Sequence, residues 1–204
     1  VAYRDAPERS GVFTERDCYV GQEDGGNPYV HSKLLAETLV LKAAQKGLPA
    51  RIFRVGVLTG RFSDGGFQRH PEKNAFANRL RAMVHLGMAP ESIREHRLEM
   101  TPVDACARAL IALASLPGLH QRVFHLCNPQ QLSVAQLAQM LGRLNRPVRF
   151  VPDEVFRREA LSRVSERDLP GVMEQLGSAD VGGRIHLSTA GTEPWLRRAD
   201  CAIA

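Results

Sequence analysis

The chain lacks the long apolar runs of a membrane protein. No stretch of its 204 residues approaches the ~18–20 consecutive apolar residues that a membrane span needs, and its first residues do not form a signal peptide. We therefore expect no contact with a membrane. With 44% hydrophobic residues the chain can still bury a core, in one large domain or in one and a half small ones.

Cysteine is scarce, and the four cysteines are far apart in sequence, at Cys18, Cys106, Cys127 and Cys201. No C-x-x-C pair occurs, and no cysteine has a histidine nearby at metal-ligand spacing, so we expect no bound metal. Reduced thiols and a cytoplasmic location are the expected state. Cys106 and Cys127 lie in apolar surroundings, which predicts that both belong to the core.

An arginine-rich tract is also missing. The net charge of +5 comes from lysines and arginines spread along the whole chain, densest at Arg157–Arg158 and at Arg197–Arg198. This distribution favours solvated helix faces over a nucleic-acid-binding patch, so we expect no nucleic acid partner.

A dinucleotide phosphate loop is missing as well. No G-x-G-x-x-G sequence follows a predicted strand, although such a loop holds the pyrophosphate in Rossmann-type domains. If the protein binds a nicotinamide cofactor, the pyrophosphate half of the site has to precede Val1. The chain opens without Met and without the start of a helix or strand, so we expect it to be a segment of a longer polypeptide.

Around residues 27–33 the sequence offers a candidate acid–base pair. Pro28 suits the first turn of a helix, which should run to about Lys46 and end at Gly47. Tyr29 and Lys33 are four residues apart, so their side chains share one face of that helix. A cation beside a phenol favours phenolate, and a phenol tuned in this way can exchange a proton with a carbonyl or alcohol oxygen.

A buried strand is predicted directly after this helix, at residues 51–58, because the segment is apolar and rich in β-branched residues. A helix, a short turn and a buried strand form half of a βαβ unit. The loop from Thr59 to about His70 follows the strand. Ligands of open α/β sheets lie beyond the carboxyl ends of the strands, so we expect ligand contact at this loop.

Further elements follow from periodicity and capping signals. The predicted helices cover 74–85, a segment from Pro102 to about 116 with Thr101 as N-cap, 134–144 with Ser133 as N-cap, 153–163, 166–177 and a short helix near Trp195. The predicted strands cover 98–100, 122–127 and 148–151, and loops are expected from residue 178 onward. His125 is expected on the less buried face of its strand. Asp104 is expected to cap its helix, with holding the loop before it as the alternative.

Five short motifs occur in one order: Tyr29-x-x-Ser32-Lys33, Leu34-x-Ala36-Glu37, Arg54-Val55-Gly56-Val57-Leu58-Thr59-Gly60, Pro102-Val103-Asp104 and Phe124-His125-Leu126-x-Asn128-Pro129. Over residues 1–165 this set resembles the second half of an extended short-chain dehydrogenase/reductase. More narrowly, it is similar to the terminal thioester reductase domain of nonribosomal peptide synthetases and carboxylic acid reductases. The lead-in Phe13-Thr14-Glu15-x-Asp17 with Gly21-Gln22 is similar to that subfamily too.

The resemblance implies a role for each match. Tyr29 would donate a proton to the substrate carbonyl oxygen, and Lys33 would hold the nicotinamide ribose and favour the ionised phenol. The strand end formed by Arg54, Val55, Gly56, Val57 and Leu58 would line the cofactor site with backbone groups. NADPH would deliver hydride to a thioester on the phosphopantetheine arm of a carrier protein, releasing an aldehyde or an alcohol. Upstream synthetase or adenylation modules of the same polypeptide would supply that thioester.

The same resemblance implies that the glycine-rich loop and a catalytic Ser or Thr precede Val1. We therefore interpret the chain as the carboxyl-terminal portion of an α/β reductase domain, and we expect no NADPH-dependent activity from this portion alone. Residues 1–60 would be the latter part of a Rossmann-type parallel sheet. Residues 61–177 would form a smaller, mostly helical substrate-binding subdomain, with returning Rossmann elements at about 98–127, followed by a poorly defined tail at 178–204.

Two other interpretations stay open. A nucleotide-sugar epimerase or dehydratase of the same extended family would need basic residues placed for a pyrophosphate, and residues 61–73 contain some. A non-catalytic domain for nucleotide sensing or protein interaction would keep the fold. The presence of both Tyr29 and Lys33 argues against that last alternative.

Overall fold

The structure, a computed structural model, describes residues 11–18, 28–177 and 185–203. Gly21, Gln22 and Asn27 of the motifs lie outside the described residues. The described helices are α1 (Pro28–Gln45), α2 (Ala75–Leu86), α3 (Val103–Ser115), α4 (Val134–Arg143), α5 (Asp153–Arg163), α6 (Leu169–Gly177) and α7 (Glu193–Arg198). The described strands are β1 (Gly11–Phe13), β2 (Ile52–Val55), β3 (Leu58–Thr59), β4 (Met88–Pro90), β5 (Arg97–Leu98), β6 (Thr101–Pro102), β7 (Val123–Leu126), β8 (Leu132–Ser133), β9 (Arg149–Val151) and β10 (Ile185–Leu187).

Parallel pairing of strands that helices separate in sequence dominates the fold. Four pairs are parallel, β1 with β10, β2 with β7, β3 with β6 and β4 with β9, whereas β5 and β8 are antiparallel. Parallel neighbours need crossover connections, which the helices supply. The predicted α/β class with parallel Rossmann-type strands is therefore confirmed.

The chain divides into two compact units. The first contains residues 1–66, 99–130 and 184–204, and the second contains residues 67–98 and 131–183.

In the described part of the chain, no helix combines the length and the apolar composition needed to cross a membrane.

The core of the first unit lies between β2, β7, α3 and α7. Its buried members are Cys106, Ala109, Leu113, Leu119, Phe124, Leu126, Leu196 and Ile203. The rings of Phe53 and Phe124 stack across the paired strands with centroids 5.5 Å apart. Residues 185–203, for which the sequence predicts mostly loops, supply β10 and α7. The short helix predicted near Trp195 is confirmed as α7, but β10 was missed because a strand of three residues has too short a sequence pattern to be recognised.

The second unit has a separate core formed by α2, α5, α6 and the pair β4–β9. Its buried members are Ala82, Met88, Val151, Phe156, Ala160 and Val172. Close approach of α6 to α2 depends on Gly171, because a Cβ there would lie 2.1 Å from the carbonyl oxygen of Asn78. Asp168 accepts hydrogen bonds from Arg81 and His85 of α2, both at 2.9 Å. Burial alone would raise the pKa of Asp168, but these bonds and one from Ser165 outweigh it and lower the pKa to about 2.

Local signals mark several helix ends. Ser133 and Gln136 form the reciprocal capping box that begins α4, as the N-cap prediction requires, and Gly47 with φ 101° follows α1. The start of α3 was predicted one residue too early. Thr101 belongs to β6 and Pro102 occupies the N-cap position, because the Thr101 hydroxyl donates to Glu99 and does not cap the helix.

Candidate active site

Tyr29 and Lys33 lie side by side on the first turns of α1. The Lys33 ammonium is 5.3 Å from the centroid of the Tyr29 ring, and 64% of Tyr29 is exposed. The Ser32 hydroxyl is turned back onto the helix, where it donates to the Tyr29 carbonyl at 2.8 Å. A phenol with an ammonium beside it, both open to a ligand, can transfer a proton to a bound carbonyl oxygen.

The rest of α1 packs against the protein with few fully buried apolar side chains. Among its residues whose side chains the structure describes, only Glu37 and Ala44 are buried, while Leu35 and Leu39 are about half exposed. Helices of globular proteins usually dock through an apolar stripe. In α1 the inward face combines the buried carboxylate of Glu37 with buried Ala44 and partly buried Leu34 and Leu41.

That carboxylate pairs with Arg54 of β2. The Arg54 Nε lies 3.1 Å from each carboxylate oxygen of Glu37, and its Nη2 also donates to Oε1. The two side chains are only 4% and 6% exposed. The sequence interpretation gives Arg54 a backbone role at the cofactor site, which stays a prediction; its side chain binds the helix that carries Tyr29.

Arg54 is held by three further groups. Its Nη1 donates to the Thr14 carbonyl at 3.3 Å, its Nη2 donates to the Asp17 carbonyl at 2.5 Å, and the guanidinium lies 5.1 Å from the Phe13 ring centroid. One guanidinium therefore joins β1 and the turn after it to β2 and α1.

His125 completes this network from β7. Its Nε2 lies 2.9 Å from Arg54 Nη1, which can only donate, so Nε2 accepts and the proton is on Nδ1. Nδ1 then donates to the Ser188 carbonyl at 2.7 Å. Burial lowers the pKa of His125, so the neutral imidazole that this geometry requires is favoured.

The prediction that His125 lies on a less buried face is wrong. The residue is 1% exposed, and all four residues of β7 are buried. The His125 ring stacks on the Phe13 ring with centroids 6.0 Å apart. The backbone N–H of His125 donates to the Thr192 hydroxyl at 2.8 Å. Strands of parallel sheets are often covered on both faces, which removes the alternation that the prediction assumed.

Glu15 ties the turn after β1 to the last part of the chain. Its carboxylate accepts from the Thr192 N–H at 2.8 Å, from the Thr192 hydroxyl at 2.7 Å and from the Gly191 N–H at 3.3 Å. The start of α7 is thereby fixed beside β7, so residues far apart in sequence enclose the Arg54 network.

The strand end predicted to line the cofactor site has several backbone groups bound within the protein. The Gly56 N–H donates to the Leu126 carbonyl at 3.0 Å, and the Val57 carbonyl accepts from the Thr101 N–H at 2.9 Å. The Val57 N–H donates to the Glu99 carboxylate. Val55 packs against the core, whereas the side chains of Val57 and Leu58 are 45% and 39% exposed and offer an apolar surface.

Glu99 brings three segments together at this strand end. Besides the Val57 N–H, its carboxylate accepts from the Thr101 hydroxyl and, at 2.8 Å, from the Asn128 N–H. Glycine is required at position 56, because a Cβ there would lie 2.2 Å from the Glu99 carboxylate. The sequence interpretation assigned no role to Glu99.

Asp104 performs both of the tasks predicted as alternatives. Its carboxylate accepts from the N–H groups of Phe62 and Ser63 in the loop at 2.9 and 3.3 Å, and from the Ala105 N–H at 3.0 Å. The hydrogen bond from Phe62 is the main reason that the pKa of Asp104 falls to about 2. The start of α3 thus orders the loop that follows β3.

Cys106 and Cys127 are buried, as predicted. Burial and, to a lesser extent, the Glu99 charge raise the pKa of the Cys127 thiol to about 12, which makes it unreactive at neutral pH. Within residues 11–18, 28–177 and 185–203, no three His, Cys, Asp or Glu side chains are grouped to hold a metal ion.

Sequence reasoning found the exposed pair on α1 and missed the buried one. A usable signal was present, because Glu37 and Arg54 are opposite charges within apolar runs of two consecutive elements. Charged residues are rarely buried without a partner, so the two runs together indicate a pair.

The comparisons with known proteins agree with this architecture. The NAD-binding family described as "Male sterility protein" matches residues 6–110. A glycine betaine reductase of Emericella nidulans is 33% identical over 119 residues, which is 58% of this chain and 9% of that protein. The structure of a thiolation-reductase di-domain from an archaeal non-ribosomal peptide synthetase superposes with a TM-score of 0.81 at 30% identity, covering 98% of this chain and 41% of that one.

A second solved structure, the reductase domain of an aureusimine biosynthetic cluster, has a TM-score of 0.82 at 26% identity. The match covers 99% of this chain and 53% of that domain. The chain thus spans about half of these solved structures or less, and a small part of its curated relative.

Proposed function

Since the chain belongs to the male sterility protein family of NAD-binding domains, we propose that it is part of an NADPH-dependent reductase. The complete domain reduces an acyl or peptidyl thioester held by a carrier protein and releases it as an aldehyde or alcohol. The likeness to the thiolation-reductase di-domain over 98% of the chain carries this proposal. The pairing of Tyr29 with Lys33 at 5.3 Å supports it.

In this proposal Tyr29 gives its proton to the carbonyl oxygen of the substrate as the oxygen becomes negative. Lys33 stabilises the ionised phenol that remains and holds the ribose hydroxyls of the cofactor. NADPH supplies the hydride. The resulting hemithioacetal then collapses and releases the thiol of the phosphopantetheine arm.

The residues present fit a nicotinamide cofactor. Lys33 is exposed beside Tyr29 and can donate to ribose hydroxyls, while Val57 and Leu58 present apolar surface at the carboxyl end of β2. We assign cofactor binding to the first compact unit, including the backbone of residues 54–58, and substrate binding to the second. The glycine-rich loop and the catalytic Ser or Thr belong to upstream residues of the complete domain.

The sugar-nucleotide alternative receives less support from the loop after β3. Arg61, one of the basic residues that it would use, is paired with Asp64 through contacts of 2.9 and 2.7 Å. The partner in our proposal is instead a carrier protein with its phosphopantetheine thioester. Upstream synthetase or adenylation modules of the same polypeptide supply that thioester.

The test is to supply the complete domain either with NADPH and a thioester-loaded carrier protein or with the oxidised cofactor and a nucleotide sugar. We expect NADPH oxidation only with the loaded carrier, together with an aldehyde or alcohol identified by mass spectrometry. Turnover of the nucleotide sugar would transfer the domain to the epimerase or dehydratase class, and absence of any chemistry would favour a sensing or interaction role. The 204-residue chain alone should oxidise no NADPH, and measurable oxidation would refute that expectation.

A further inference from the structure

The orientation of α1 depends on one polar contact more than on its apolar residues. Glu37 is buried in the middle of the helix, on a face where Leu34 and Leu41 are only partly buried. Leu35 and Leu39 of the outer face are about half exposed. Apolar burial is non-directional, whereas a carboxylate bound by a guanidinium has a defined position and direction. The Glu37 contact is therefore the feature that fixes how α1 is rotated about its axis.

Arg54 can serve as a fixed reference point, because other parts of the first unit hold it independently of α1. It extends from β2, donates to the carbonyls of Thr14 and Asp17, and contacts His125 of β7. Because Arg54 is held by these groups, it would not move with α1 if the helix rotated. Arg54 therefore restrains the helix.

Helix geometry connects this contact to the exposed pair. Each residue advances about 100° around the axis and about 1.5 Å along it, so Lys33 lies about 40° and 6 Å from Glu37, and Tyr29 about 80° and 12 Å. A rotation of α1 by about 20° would move a side-chain tip 6 Å from the axis by about 2 Å. A displacement of about 1 Å in a catalytic group can cost about a hundredfold in rate.

We propose that the buried Glu37–Arg54 pair sets the rotation of α1 and thereby the direction in which Tyr29 and Lys33 face the substrate and cofactor. Glu37 and Arg54 are then positioning residues that touch neither ligand. This inference rests on the proposed function, since it assigns the pair a part in the same reaction.

The first test uses Glu37→Gln, which keeps the shape of the side chain and removes its charge, in the complete domain with NADPH and a loaded carrier. We expect kcat to fall about tenfold to a hundredfold at a temperature well below the unfolding transition. In a background that carries both Tyr29→Phe and Lys33→Met the same substitution should cost about threefold or less, because both groups that it misdirects are already absent. An equal loss in both backgrounds, or an unchanged kcat, overturns the proposal.

A second measurement needs no turnover. In the complete domain labelled with 3-fluorotyrosine, the fluorine resonance of Tyr29 is assigned as the one that Tyr29→Phe removes. We expect Glu37→Gln to shift or broaden the Tyr29 resonance. The control Glu91→Gln, which removes an exposed carboxylate 2.8 Å from Arg94, should leave it unchanged. An unmoved Tyr29 resonance in a folded Glu37→Gln domain overturns the inference.

These two readouts separate failure of the inference from failure of the proposed function. If wild-type protein does not reduce the thioester, the proposed function is wrong, and the fluorine spectrum still decides the positioning role. If Glu37→Gln does not fold, Arg54→Lys replaces it in both measurements. Lysine keeps the charge but loses the planar fork that binds the carboxylate and the two carbonyls, so the same non-additive loss of kcat and the same spectral change are expected.

Discussion

Helix α1 contributes to two pairs of polar side chains that differ in almost every physical respect, one within the helix and one with Arg54 of β2. Tyr29 and Lys33 are exposed at its amino-terminal end, 5.3 Å from ring centroid to ammonium. Glu37 is buried two turns beyond Tyr29 and bound to Arg54 by several hydrogen bonds. Solvent screens the first pair and leaves it accessible to ligands, whereas the second pair is withdrawn from solvent.

This difference shows that exposure and burial suit two pairs of polar side chains to different tasks. Exposed pairs four residues apart contribute only about 0.2–0.5 kcal/mol to stability, so they are free to serve chemistry. Burying a charged pair costs free energy of desolvation. Removing one partner costs still more, because it leaves an unpaired charge in the interior. The buried pair therefore suits the task of fixing geometry.

The largest expected effect comes from Arg54→Met, which leaves the Glu37 carboxylate buried without its cation. We expect the free energy of unfolding of the complete domain to fall by about 3–5 kcal/mol, measured by urea denaturation with circular dichroism. The matched control Glu91→Gln breaks an exposed pair and should cost less than about 1 kcal/mol. Equal losses in the two variants would erase the distinction between buried and exposed pairs.

An intermediate effect is expected from Gly56→Ala at the strand end. The new Cβ would approach within 2.2 Å of the Glu99 carboxylate, which the Val57 and Asn128 N–H groups hold in place. The added methyl should reduce the unfolding free energy by about 1–3 kcal/mol and raise KM for NADPH. Gly142→Ala is the control, since no atom lies within 4 Å of its Cβ position and alanine favours the helix; a loss there as large as at Gly56 would refute the steric cause.

A smaller loss of unfolding free energy is expected when the pH is lowered and His125 in the buried network becomes protonated. Because the pKa of His125 is lowered by burial, the folded protein binds this proton less readily than the unfolded chain, whose histidine titrates near about pH 6.5. The contribution of the neutral imidazole to the unfolding free energy is therefore fully present above that pH. It is lost as the pH falls below it, towards the lowered pKa of the folded state.

This pH effect is best measured in a His96→Gln background, because burial also lowers the pKa of His96. The unfolding free energy should still decline between about pH 7 and pH 5, and His125→Gln should flatten the decline. A slope that persists unchanged without His125 would show that the imidazole is not the titrating group.

The smallest effect on stability is expected for Lys33→Met on the exposed side of the comparison. Lysine and methionine have similar helix propensities, and the ammonium is solvated, so the unfolding free energy should change by no more than about 0.5 kcal/mol. Thioester reduction should nevertheless fall, through a higher KM for NADPH and a lower kcat. A destabilisation near that of Arg54→Met would mean that the exposed pair also holds the fold.

Sequence predicted those parts of the structure whose causes are local. Ser133 with Gln136, and Gly47 after α1, mark helix ends through contacts a few residues long. The Tyr29–Lys33 spacing needs one turn of helix and nothing else. The α/β class followed from the alternation of helical and buried-strand patterns.

Features that depend on distant partners could not be predicted in this way. The burial of His125 is decided by Phe13 and by Ser188 and Thr192 near the end of the chain, none of which its own strand reveals. Strand β4 was missed because it is three residues long, ends at Pro90 and exists through pairing with β9. Glu99 stands alone in a short apolar segment, and its three donors come from separate parts of the chain.

The central claim is that the exposed pair performs the chemistry while the buried pair holds it in place. Its most direct test is the single-turnover rate of hydride transfer from NADPH to a carrier-bound thioester, in the complete domain with wild-type Tyr29 or with Tyr29→Phe. We predict a loss of about a hundredfold or more with no change in the unfolding midpoint, because only the proton donor is removed. A rate within about threefold of wild type would contradict the assignment of Tyr29 as that donor.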